Sequence, residues 1–260
     1  MQGRVHYTRE ATALALAQLR KDRASVWTPT CDTLLKDLQS VQTFRNKDPT
    51  PFPIIVLEGL DGVGKTTVAS ALAAKVGAVN FRTPPEYLEA LRAVFRHLPE
   101  PEPRAFYCAA NYIAAPHLVQ AAKYSPVILD RWFCSTCAMG YAAGCTDIAS
   151  LPKELFRWPE DLPPMSVGIL LEADEATRHA RVSKRGQETI DEITLAANRK
   201  FRECAMQSFG RFVDNNLLEL VLAPNFKSAV NDILLKLKAK GFATNSVPYS
   251  PEDVAATSPY

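Results

Sequence analysis

The stretch IIVLEGLDGVGKTTVASALAAKVG, Ile54 to Gly77, constrains the chain more than any other. Ile54 to Leu57 is apolar and rich in β-branched residues, the pattern of a strand covered on both faces. Gly59, Gly64, Lys65 and Thr66 then satisfy G-x-x-x-x-G-K-[ST]. The glycines let the backbone curl until successive N–H groups point inward at phosphate oxygens. Lys65 adds positive charge near the β- and γ-phosphates, and the Thr66 hydroxyl suits Mg²⁺. Val68 to Val76, rich in Ala and Leu, reads as the helix whose N-terminus faces the anion. The competing reading is an ordinary glycine-rich β–α turn.

The chain around this loop has 260 residues and is 47% hydrophobic, which suits one sizeable α/β domain with room for extensions. A formal charge of +2 does not ask for a nucleic-acid partner. No apolar run approaches the roughly 20 residues that span a bilayer. Six cysteines are too few for a disulfide scaffold at this size, so a reduced compartment is the expectation. Cys134 and Cys137 form C-x-x-C, but no second Cys or His pair lies at ligand spacing, and zinc is not expected.

Residues 1–50 read as an N-terminal extension, partly helical, with a helix over Ala11 to Arg20. Prolines at 49, 51 and 53 mark its end. The Arg-containing, Ala-rich start is interrupted by Glu10 and Asp22, which weakens a transit-peptide reading and leaves targeting open. Over 51–243 strands alternate with helices. Strands are predicted at 54–57, 78–83, 126–132, 166–174 and 218–223. Helices are predicted near 85–97, 103–123, 134–143, 174–185, 191–215 and 226–239. This alternation implies a five-stranded, mainly parallel sheet in a three-layer α/β/α fold of the P-loop NTPase type, with ligands at the strands' C-terminal rim. Residues 244–260 are rich in Pro and Ser and read as a disordered tail.

PVILDRW, 126–132, carries the next signal. An Asp at the end of a strand beside a phosphate loop can hold Mg²⁺, so Asp130 is a metal candidate with Thr66. Arg131 offers a bidentate fork for phosphate. The bland alternative is a helix-capping Asp and a surface Arg. Further on, Arg178, Arg181 and Arg185 fall at i, i+3 and i+7 on one helical face, with Lys184 beside them and Gly186 as a stop. That is either a solvated basic face or an Arg-bearing lid that neutralises a migrating phosphoryl group and excludes water.

EGLDGVGKTT, DRW and this Arg-rich helix resemble the thymidylate-kinase-like nucleoside monophosphate kinases. RAFYCAANYIAAPHLVQAAKYSPVILDRWFCST (104–136), RWPEDLP (157–163) and ANRKFRE (197–203) are similar to its mitochondrial UMP/CMP kinase branch. The similarity covers roughly Phe52 to Lys240. It implies that Gly59, Leu60, Asp61, Gly62, Val63, Gly64, Lys65, Thr66 and Thr67 bind ATP and Mg²⁺. It implies that Asp61 faces the acceptor's sugar, that Arg131 clamps the acceptor phosphate, and that Arg181 and Arg185 are the lid cations. Arg82 or Arg92 would touch the acceptor phosphate as well. Thymidylate kinases carry a segment like FSANR whose Arg reads thymine; here it is CAANY, with Asn111 kept and Tyr112 in the Arg position. Tyr107, Asn111 and Tyr112 either face the base or pack the core. A homodimer through the apolar helix 103–123 and a mitochondrial location are also implied by the resemblance.

The leading expectation is ATP-dependent phosphorylation of dUMP, dCMP, UMP or CMP, with Lys65, Asp130, Arg131, Arg181 and Arg185 as the chemical machinery. A dTMP kinase is an alternative. So is a nucleoside kinase, which needs a carboxylate base near the sugar for which Glu58 and Asp61 are available. A non-catalytic nucleotide-dependent switch or scaffold is a third reading, although the guanine-reading motif of a switch is missing.

Overall fold

A computed structural model describes residues 5–22, 27–44, 50–144, 147–185, 198–242 and 246–257. The chain opens with α1 (Arg9–Asp22) and α2 (Pro29–Ser40). Then come β1 (Ile54–Glu58), α3 (Lys65–Val76), β2 (Val79–Arg82), α4 (Glu89–Phe95) and α5 (Glu102–Ala121). These are followed by β3 (Val127–Asp130), α6 (Phe133–Gly144), β4 (Val167–Glu172) and α7 (Glu175–Arg185). Last are α8 (Arg199–Asp214), β5 (Glu219–Leu222), α9 (Phe226–Ala239) and α10 (Pro251–Ala255).

The five strands are all parallel, in the order β2-β3-β1-β4-β5. β1 is central and buried along its whole length, as its continuous apolar run requires. Register brings Leu57 opposite Asp130 and Arg82 opposite Asp130, so the strand ends that carry polar residues share one rim. α3 and α9 pack together on one face of the sheet, and α5, α6 and α8 lie on the other. β3 ends at Asp130 rather than 132 because Arg131 turns into the left-handed region at φ 67°. Of the helix predicted at 191–215, the described part begins after Asn198, whose side chain accepts from the Phe201 N–H at 2.9 Å.

The packing of the N-terminal helices goes beyond the sequence reading. α1 and α2 pack on α5, and Leu16, Leu19, Leu34 and Leu38 join the same apolar core as the sheet. α1 and α2 therefore share one folding unit with the sheet. By covering α5, they also occupy the apolar face on which a homodimer was expected. The expectation of a disordered tail needs correction. Pro251 at the start of α10 and a reciprocal Ser250–Asp253 capping box order the segment, and 246–257 lies against α3 and α9. No helix among the described residues is long and apolar enough to cross a membrane.

Candidate active site

The loop between β1 and α3 is shaped by glycine. Gly59 sits at φ 138°, and a Cβ there would run into the Leu171 carbonyl oxygen of β4. Gly62 sits at φ 85°, with Arg178 Cγ only 2.9 Å from where a Cβ would be. α7 closes on this loop through two arginines. Buried Arg178 donates to the Asp61 carbonyl at 2.6 Å and pairs with Glu175 at 3.1 Å. Arg181 donates to the carbonyls of Val63 (2.8 Å), Ala223 (2.8 Å) and Pro224 (2.9 Å), so it ties the loop to the end of β5. Arg181 thus stands beside the phosphate loop as a strut. Arg185 closes α7, and its side chain lies outside the described residues, as do 186–197. Leu60 and Val63 anchor the loop in the core. Thr67 is exposed on the cavity wall.

Lys65 is 6% exposed, and its Nζ donates to the Leu60 carbonyl at 2.7 Å. Burial and the neighbouring Arg131 bring its ammonium down to about 8, against the pull of Asp61, Asp130 and Glu58. Beside it the Thr66 hydroxyl donates to Asp130 Oδ2 at 2.7 Å. The other carboxylate oxygen, Asp130 Oδ1, is buried and has no hydrogen-bond partner. A hydroxyl and an orphaned anionic oxygen at the mouth of a phosphate loop fit a hard divalent cation such as Mg²⁺. Among the described residues no cluster of three or more His, Cys, Asp or Glu offers another metal site. The described C-x-x-C pair, Cys134 and Cys137, is buried, and burial pushes both thiols up.

Arg131 holds an uncommon backbone conformation, fixed by its N–H on the Leu57 carbonyl (2.9 Å) and by the Thr83 hydroxyl on its own carbonyl (2.8 Å). This turn sends the guanidinium inward. It donates to the Gly59 carbonyl (2.9 Å), Ser135 Oγ (3.0 Å) and Asp61 Oδ1 (2.5 Å). Burial raises the Asp61 carboxyl, but Arg131 and Lys65 outweigh it and hold the group at about 2. Behind Ser135 lies Glu58, fully buried, which accepts from the Ser135 hydroxyl and from the Trp132 N–H at 3.0 Å. Burial pushes the Glu58 carboxyl up.

One cavity of about 1290 Å³ runs along the rim. It reaches from Arg82, Tyr87, Arg92 and His117, past Arg131, Asp130 and the phosphate loop, to Lys184, Ala223, Phe226 and Thr257. Arg82 and Arg92 thus line the same cavity as the phosphate loop. Tyr107, Asn111 and Tyr112 do not line it. Asn111 is buried and donates to Thr136 Oγ1 at 3.0 Å. Tyr112 is buried, and its hydroxyl donates to Asp161 Oδ1 at 2.7 Å. Tyr107 touches the cavity only through Arg92, whose Nε reaches its hydroxyl at 3.4 Å. The base-facing expectation for Asn111 and Tyr112 gives way to the packing one. α5 is rotated so that Ala114, His117 and Leu118 face the cavity instead. Sequence reasoning missed Ser135 and Thr257, which carry no local signal, and it placed Arg178 on the Arg face of α7 without its bond to the loop.

A family model for thymidylate kinase matches residues 57–233. Human UMP-CMP kinase 2, mitochondrial, is 32% identical over 197 residues, which are 74% of this chain and 44% of that protein. The chain thus spans less than half the length of the curated relative it matches. Thymidylate kinase from Candida albicans superposes with a TM-score of 0.57 at 15% identity, covering 74% of this chain and 93% of the other. Deoxyadenosine kinase from M. mycoides superposes at 0.50 with 20% identity, covering 72% of this chain and 99% of the other. At these identities the two structures establish the α/β/α P-loop fold, and the family match establishes kinship: the chain belongs to the thymidylate kinase family.

Proposed function

We propose that this protein transfers the γ-phosphoryl group of ATP to the 5′-phosphate of a pyrimidine nucleoside monophosphate: dUMP, dCMP, UMP or CMP. The observation that carries this reading is the pair Asp130–Arg131 at the end of β3. One side chain points to Thr66 at the phosphate loop and the next to Asp61, inside a single cavity larger than one ligand needs. The similarity to a human UMP-CMP kinase supports the pyrimidine class.

The chemistry asks for positioning and charge neutralisation rather than a nucleophilic side chain. The backbone N–H groups of 59–67 and the N-terminus of α3 would hold the donor phosphates. Lys65 would leave the Leu60 carbonyl for the β/γ-phosphates, and the anion would restore its full charge. Thr66 and Asp130 would hold Mg²⁺, which when bound neutralises phosphate charge and aligns the donor tail. Arg131 would orient the acceptor phosphate in line with the donor, with Arg82 and Arg92 flanking it. Asp61, ionised and fixed by Arg131, would face the acceptor sugar. Arg181 would keep the loop in shape on the donor side, and Arg185 is proposed as the lid cation.

A nucleoside kinase finds less support. Glu58 is sealed in the core by Ser135 and Trp132, and Asp61 is held at about 2 by Arg131, so neither is suited to act as a base on a 5′-hydroxyl. A coupled ADP-release assay over UMP, CMP, dUMP, dCMP, dTMP and the matching nucleosides tests the proposal. Turnover with nucleosides but not with monophosphates overturns it. A mitochondrial location is inferred from the human relative's name, and fractionation of cells expressing the protein checks it.

A further inference from the structure

Residues 246–257 carry no motif, yet they are fastened at many points. The Ser246 hydroxyl donates to the Lys75 carbonyl, and Lys75 Nζ donates to the Val247 carbonyl at 2.7 Å. The Asn231 side chain pairs with both backbone groups of Tyr249, at 2.8 and 2.9 Å. The Tyr249 ring sits edge-on to Phe226, with centroids 6.1 Å apart, and under Lys75 Nζ at 4.1 Å. Lys227 reaches the Asp253 carbonyl at 3.3 Å. The segment then turns through α10 and delivers Thr257 to the wall of the long cavity, at the end formed by Ala223 and Phe226.

That end has a definite place in the reaction proposed above, on which this inference rests. The phosphate loop follows the central strand. The acceptor side lies over β2 and β3, where Arg131, Arg82 and Arg92 gather. A triphosphate whose terminal group faces Arg131 must extend its nucleoside the other way, over β4 and β5. Its base then arrives beside Phe226 and Thr257.

We infer that the 246–257 segment is the outer wall of the donor-base pocket. Phe226 supplies an aromatic face to the base, and Tyr249 braces Phe226 from behind. Thr257 closes the edge, its hydroxyl proton committed to the Asp253 carbonyl at 2.6 Å, so that it meets the base as an acceptor. The segment sets donor affinity and leaves the acceptor side alone.

The test compares a base-bearing probe with a base-free one on the full chain. Binding of AMP-PNP and of inorganic tripolyphosphate, each with Mg²⁺, is measured by calorimetry. The proteins are the wild type, Thr257→Ala, and the double variant Asn231→Ala/Tyr249→Ala, which releases the segment without touching the cavity. AMP-PNP should weaken about five-fold in the first variant and about ten-fold or more in the second, with tripolyphosphate within two-fold of wild type in both. Unchanged AMP-PNP affinity overturns the inference, as does parallel weakening of both probes, which marks a distorted phosphate loop. Wild type that binds AMP-PNP but, given ATP and the monophosphates above, transfers no phosphoryl group sinks the kinase reading while the wall survives. Wild type that binds neither probe sinks both.

Discussion

The Asp61–Arg131 pair offers the most direct test of the site's electrostatics. Asp61→Asn and Arg131→Gln, singly and together, form a double-mutant cycle. Asp61 is held at about 2 against an ordinary 3.8. At about 1.4 kcal/mol per pH unit, that corresponds to on the order of 2.5 kcal/mol. The two side chains keep 29% and 20% exposure, so screening reduces the expected coupling to about 1–1.5 kcal/mol. Arg131→Gln also disturbs bonds to Gly59 and Ser135, but that cost cancels in the cycle as far as it is independent of Asp61. Urea unfolding at pH 7 measures the coupling. Its pH dependence has a fixed sign. The native Asp61 carboxyl is depressed, so the stabilisation is present above about pH 4 and declines as pH falls toward about 2. Repeating the cycle at pH 3 should show a smaller coupling. A coupling below about 0.3 kcal/mol at pH 7 means the two singles add independently, and the argument that Asp61 locks Arg131 fails.

Tyr112→Phe should cost about 1–2 kcal/mol in thermal unfolding, because Asp161 loses a buried donor, while acceptor KM stays within two-fold; a large KM rise puts the ring back at the base. With Lys65 at about 8 in the free protein, kcat/KM for ATP should fall as pH rises through that value; a profile flat from about pH 7 to 9.5 contradicts the assignment. Asp130→Asn should raise the Mg²⁺ concentration for half-maximal activity about ten-fold or more, read by metal titration, and an unshifted titration removes Asp130 from the metal site. Gly59→Ala, which drives a Cβ at the Leu171 carbonyl from a glycine-only backbone, should lose about 2 kcal/mol or more in denaturant; wild-type stability there refutes the described turn.

What was legible in the sequence was what local geometry enforces. Gly59, Gly64, Lys65 and Thr66 sit on one short turn, and their spacing alone places them. Asp130 was legible for the same reason, as the polar stop of an apolar strand. Arg131 was legible as a cation but not as a left-handed residue, since that conformation is held by Leu57 and Thr83 from two other elements. The face of Arg178, Arg181 and Arg185 followed from helical period, yet period cannot say which arginine folds back onto the loop. The sequence left Tyr112 open between base and core because its partner, Asp161, lies 49 residues away and also receives the Arg9 N–H at the start of α1. The order in the C-terminal segment did have a local sign: Ser250, Pro251 and Asp253 spell a capped helix start that Pro/Ser-rich composition obscured.

The cover that α1 and α2 lay over α5 has a practical consequence for anyone trimming the gene. The stretch recognised by the family model begins at 57, but the cooperative unit begins earlier. A cut just ahead of β1, close to the family boundary, would already strip Leu16, Leu34 and Leu38 from their neighbours and bare a long hydrophobic helix to water. Such a fragment would keep the phosphate loop, Asp130 and Arg131 and still precipitate, and its silence in an assay would say nothing about the chemistry.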